Sequence, residues 1–163
     1  MQTDFNAEGS ERVQQLITRL GLRAKDTRAA RREIGEEMMV RTADRFDRGV
    51  SPDGVPWKPS RRAEAEGGQT LLDTGTLASR IAYSTGGSDL ELRATDRRAR
   101  VHQLGLTIEP VNGEYLTFPI IDDDGKKSFR RVRSLKMEKR AFLGFSEDDL
   151  QMVLVILGRY FEL

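Results

Sequence analysis

The sequence predicts a single α+β domain with N-terminal helices, a small antiparallel sheet with a projecting hairpin, and a packed C-terminal helix. Three observations carry that prediction. Apolar residues recur at helical spacing at both ends of the chain. From about residue 90 the apolar period drops to two, and Asn-Gly and Asp-Gly turn dipeptides follow. At 163 residues, with 37% hydrophobic and 33% charged residues, the chain can bury one core of ordinary size under a wet surface.

Taken in order, residues 8–20 place Val13, Leu16, Ile17 and Leu20 at i, i+3, i+4 and i+7, one face of a helix that Gly21 ends. A second helix is expected over about 26–48, with Ala30, Ile34, Met38 and Phe46 down one side. Its dense mix of Arg and Glu reads as a solvated face. Gly49 breaks the pattern, and "GVSPDGVPWKPSRRAEAEGG" carries three prolines and four glycines. That composition predicts a long exposed loop over about 50–68, functional or ordered by a partner. In "DTGTLASRIAY" a short helix is expected, with Asp73 or Thr74 as its N-cap and Leu77 and Ile81 at i, i+4.

The period then changes. "DLELRAT" alternates Leu90, Leu92 and Ala94 with Glu91 and Arg93, as a half-buried strand does. "DRRARVHQLG" allows a helical turn with Val101 and Leu104 on one side. Runs at 115–121 and 128–132, with Asn112-Gly113 and Asp124-Gly125, predict a hairpin or small meander. Ser146 before Glu147, Asp148 and Asp149 is a helix start, and Leu150, Val153, Leu154, Leu157 and Phe161 continue it. Val155 and Ile156 widen its apolar face, so this helix is expected to be buried on two sides, by its own sheet or by another subunit.

Composition excludes several chemistries. No cysteine is present, which removes disulfides, thiol catalysis and cysteine-ligated metals. His102 is the single histidine, so no histidine pair can hold a metal, and Asp122–Asp124 lacks calcium-loop spacing. No cofactor motif is found, and the expectation is a protein without enzymatic activity. The apolar run at 152–158 is far too short to span a bilayer, and residues 1–12 lack a leader's basic and apolar parts. No membrane partner is expected.

Two functional alternatives stand on particular residues. Asp73-Thr74-Gly75 has the form of an aspartic protease triplet, whose chemistry needs two carboxylates sharing a proton. Here a polar stretch precedes it and a helical period follows, so a helix cap is the expected role. Nucleic-acid binding draws on "RATDRRARVH" and "FRRVRSLKMEKR", with Trp57, Tyr115 or Phe129 to stack. A net charge of +1 opposes it, because affinity for nucleic acid comes mainly from phosphate neutralisation. Of 27 basic residues, 21 are arginine, which suits contacts between proteins as well as phosphates.

Four segments occur in a recognisable order: Pro52, Asp53, Gly54 and Trp57; Leu72, Gly75 and Leu77; His102, Gln103 and Gly105; and Arg140, Phe142, Leu143 and Gly144. In them the chain resembles the phage virion morphogenesis family, tail completion proteins of contractile-tailed, Mu-like phages. The resemblance covers about residue 45 to the end. It implies one tail-completion domain over 1–163, with a hairpin insertion at about 106–139, in a virion tail or neck assembled in the host cytoplasm. It implies a ring, commonly hexameric, that meets tail tube and neck or connector proteins and makes the tail competent to join a filled head. On that reading Trp57 anchors the 50–68 loop in a neighbouring protein, or else folds over its own core. Residues 140–144 fix the terminal helix to the sheet, or else form a plain strand-to-helix turn. Val155 and Ile156 would face another subunit, and the basic hairpin could line a channel crossed by DNA.

Overall fold

The computed structural model describes residues 10–19, 27–87, 89–121 and 124–161. The expected Gly21 stop lies outside them. Helix α1 spans Ser10–Arg19 and α2 spans Arg28–Arg48. Ala30, Ile34 and Met38, one turn apart, form the buried stripe of α2, and Phe46 continues it. Gly49 ends the helix in the left-handed conformation at φ 67°, where any side chain would be strained.

Helix α6, Glu147–Phe161, opens on a reciprocal cap. Ser146 Oγ accepts from the Asp149 amide at 3.2 Å, and Asp149 Oδ2 accepts from the Ser146 amide at 2.7 Å. Its apolar width is used by α2. Val153, Ile156 and Leu157 close over Ala30, Ile34 and Met38, with Val13 of α1 packed alongside. Each of the larger side chains contributes about 1.5–3 kcal/mol on burial. The face expected to meet a sheet or another subunit therefore meets α2. Ile156 is buried within this chain, and Val155 turns outward, 63% exposed.

Among the described residues the small sheet resolves into three two-stranded antiparallel ladders. Strand β1, Ile81–Ser84, pairs with β2, Glu91–Ala94. Strand β3, Thr107–Ile108, pairs with β6, Leu135–Lys136, as the base of an arm. Further out, β4, Leu116–Ile121, pairs with β5, Lys127–Val132, around the Asp124-Gly125 turn. Asn112-Gly113 bends the chain between β3 and β4 and closes no hairpin of its own. Among the described residues from 104 to 139, none is fully buried.

Three local expectations are corrected. The 50–68 stretch is not loop throughout: α3, Arg61–Glu66, begins once its last proline, Pro59, has passed. Ser60 Oγ caps it by accepting from the Ala63 amide, and Gly67 ends it at φ 71°. In the Asp-Thr-Gly region the helix α4 is only Thr76–Ser79, and its N-cap is Gly75 at φ 71°, with no side-chain cap bond. Neither Asp73 nor Thr74 caps it, because the left-handed glycine turns the chain into the helix one residue later. Ile81 belongs to β1, although it still shares a core with Leu77. Helix α5, Arg97–Leu104, is capped by Asp96 and buries Ala99 and Gln103, while Leu104 is exposed.

Candidate functional site

The second core cluster holds Phe46, Trp57, Leu77, Ile81, Ala99, Phe142 and Leu143, with Leu71 and Leu72 packed against it. Each of the four sequence motifs contributes to it or bonds to it. They converge on residues 140–144, a buried stretch with no helix or ladder to satisfy its backbone. Buried peptide groups without partners are costly, so side chains must substitute for the missing backbone partners.

Gln103, reached from α5, is central. Its Oε1 accepts from the Phe142 and Leu143 amides, each at 3.0 Å, and its Nε2 donates to the Leu143 carbonyl at 2.7 Å. One amide thus reads the backbone of two consecutive residues. Trp57 Nε1 donates to the Ala141 carbonyl at 2.9 Å, and its ring meets Phe46 edge-on at 5.5 Å. Arg45 Nη1 donates to the Phe142 and Gly144 carbonyls at 3.2 and 3.0 Å. The Arg140 amide donates to the His102 carbonyl at 2.7 Å, and its guanidinium to the carbonyls of Lys58 and Pro59.

Buried charge is met in two ways: Arg140 donates to backbone carbonyls, and Arg45 and Asp149 pair with each other. Asp149 takes Arg45 on one oxygen and Arg41, at 3.2 Å, on the other. Burial pushes the Arg45 guanidinium below its ordinary range, and Asp149 opposes that shift. The Arg140 guanidinium is lowered for the same reason, with Glu138 opposing. Burial, then the positive charges of Arg140 and Arg98, lower His102, so its imidazole is neutral at pH 7. Its Nδ1 is buried without a hydrogen-bond partner among the described residues.

Glycines of the motifs have spatial reasons. At Gly105, φ is +69° and an added Cβ would lie 2.8 Å from the Lys139 nitrogen. The crossing of α5 and the 139–140 backbone therefore admits no side chain. The Pro52-Asp53-Gly54 turn closes through Ser51 and Val55, whose backbone groups bond at 2.9 Å, and Gly54 sits at φ 76°.

The residues expected at an interface divide accordingly. Trp57, 7% exposed, is folded over its own core, as are Phe142 and Leu143. They pack within this chain, which is the second of the two roles expected of Trp57. Arg140 ties the 58–59 backbone to α5. Residues 140–144 join the terminal helix to α2 through Arg45, and to α5 through Gln103, with no sheet between. Asp53, Gly54 and Val155 remain exposed, and Pro52 is half-buried. The sequence named Gln103 as a motif residue without a role here, and Arg45 and Asp149 were not recognised as members of this site. The available signal was the helical spacing of Ala99 and Gln103, which shows a face only once its neighbours are known.

Asp73 lies in the bend that leads into α4. Its carboxylate is exposed and lies 3.6 Å from Arg62 Nε. Among the described residues, no group of three or more His, Asp or Glu could hold a metal ion. Asp122 and Asp123 lie outside them. No helix among them is long and apolar enough to cross a membrane.

The model of the phage virion morphogenesis family matches the chain over residues 9–162. No curated protein and no solved structure matches the chain.

Proposed function

The chain belongs to the phage virion morphogenesis family, and from that premise we propose that it is a non-enzymatic structural protein that completes the head-proximal end of a phage tail. It acts as a ring of subunits, hexameric to match the tail tube, and makes the tail competent to join a filled head. The observation that carries this reading is the extent of the family match, from the first described helix through the last.

The structure supports it in how it spends its surfaces. Trp57, Leu77, Gln103, Phe142 and Leu143 of the motifs are used internally, and other apolar side chains remain outside. Val155 of α6 and Val40 of α2, 63% and 65% exposed, border a groove of about 400 Å³ whose other walls include Met152, Glu33, Glu36 and Glu37. The Asp53-Gly54-Val55 tip is a second outward feature. Surfaces of this kind, apolar at the centre and charged at the rim, suit repeated subunit contacts.

Sedimentation of the purified chain, electron microscopy of any ring, and head-joining of tails assembled with and without it test the reading together. Val155→Glu and Val40→Glu should leave helix content and melting unchanged while reducing ring formation and joining at least tenfold. A chain that remains monomeric even with tail tubes, and that tails do not need for joining, would refute it.

A further inference from the structure

The β4–β5 register sorts the arm's side chains by face. Partners run Leu116↔Val132, Phe118↔Arg130 and Ile120↔Ser128 on one face, and Thr117↔Arg131, Pro119↔Phe129 and Ile121↔Lys127 on the other. The first face holds the half-buried apolar residues Leu116, Phe118, Ile120 and Val132. On the second, Lys127, Phe129 and Arg131 are exposed, Phe129 to 76%. One step beyond the ladder, Arg133 and Tyr115 keep the same parity, with the guanidinium 5.9 Å from the ring centroid.

The outcome is a stripe of Lys127, Phe129, Arg131 and Arg133 at two-residue steps, about 7 Å apart and about 20 Å long. Strand β4 beside it carries no charge. Residues 125–137 contain six cations and no acid, while in the sequence the nearest acids fall outside that run, at 122–124, Glu109, Glu114 and Glu138. Among the described residues no carboxylate pairs with Lys127, Arg131 or Arg133. A net charge of +1 therefore conceals a segregated basic face.

We propose that this face binds the phosphodiester backbone of a nucleic acid, with Lys127, Arg131 and Arg133 on phosphates and Phe129 against a base. A nucleic acid engages both kinds of side chain at once, the cations through its phosphates and the exposed aromatic ring through its bases. Arginine's planar fork matches phosphate oxygens. The inference goes beyond the assembly reading and does not rest on it, since rings can form with this face unoccupied.

The test uses the full chain and fluorescein-labelled 20-mers, one single-stranded and one duplex, with anisotropy read from about 25 to 200 mM salt. Three phosphate contacts predict a log–log salt slope of roughly −2 to −3. Arg131→Gln and Arg133→Gln should each flatten it by about one unit. Phe129→Ala should weaken single-strand binding roughly tenfold. A loss confined to the single strand identifies unpaired bases as the ligand, and equal losses in both arms identify the backbone alone. Binding of heparin but of neither oligonucleotide overturns the proposal. So does parental affinity in all three variants, or variants that alter only the sedimentation of the chain. Circular dichroism on each variant checks that the exposed substitutions leave the fold intact.

Discussion

Residues 140–144 and the β4–β5 arm invert the usual association between regularity and stability. The first segment has no helix or ladder of its own, yet it is buried and its polar groups are taken by Gln103, Trp57, Arg45 and the His102 carbonyl. The second is a fully registered hairpin, yet none of its described residues is fully buried. Backbone hydrogen bonds exchanged for water are worth little net, whereas burial is worth much and makes every unsatisfied group expensive. The irregular segment is therefore where the fold is held, and the regular one is where it can be changed.

Substitutions should reveal that contrast as a gradient. Trp57→Ala removes a buried ring and the donor to the Ala141 carbonyl, and should cost about 5 kcal/mol, or roughly 10–20 °C in melting temperature. A melting point that stays put while assembly fails would restore Trp57 as an interface anchor. Gln103→Ala strands two amides and a carbonyl in the core, and chemical denaturation should show a loss of about 3 kcal/mol. Gly105→Ala should cost about 2 kcal/mol, because it meets both a positive φ and the Lys139 backbone. If it is neutral, the α5 crossing is looser than described.

A smaller effect sits at the start of α5. Asp96 accepts from the Arg98 side chain and amide, and these bonds hold its carboxyl down to about 2. A depressed folded pKa means that this stabilisation is complete above the unfolded value of about 3.9 and is lost as pH falls through the folded one. Since the Arg98 side chain is largely exposed, the loss between about pH 4 and pH 2 should be near 1 kcal/mol. Asp96→Asn preserves the cap and should remove that part of the pH dependence of melting. The smallest effects belong to the arm. Phe129→Ala should change stability by no more than about 0.5 kcal/mol. Replacing residues 109–134 with Asn-Gly, so that β3 and β6 close directly, should leave the melting temperature nearly unchanged. A large loss in either would show the arm to be part of the core.

Legibility followed the range of the interactions. The stripe Ala30, Ile34, Met38 and Phe46 was readable because helical periodicity is local, and every one of the four is buried. The Ser146 start and the Asp124-Gly125 turn were readable for the same reason. Ile81 was misplaced because its spacing from Leu77 satisfies a helix, while the partner that makes it a strand, Ala94, lies in another segment. Asp73 was misplaced because the cap depends on φ at Gly75, which residue names do not specify. Trp57 was legible as important and illegible as to what it touches.

What the sequence by itself determined was the helices α1, α2 and α6, strand β2 and the β4–β5 hairpin, the arm's basic charge, and the membership that four ordered motifs conveyed. Only the tertiary structure decided that those motifs meet at residues 140–144, that α6 closes on α2, and that Gln103 is a core residue. The physical reason is that periodicity, turns and charge runs are properties of neighbouring residues. Satisfying a buried peptide group with a side chain about 40 positions away, as Gln103 does for Leu143, is a property of chain crossing alone.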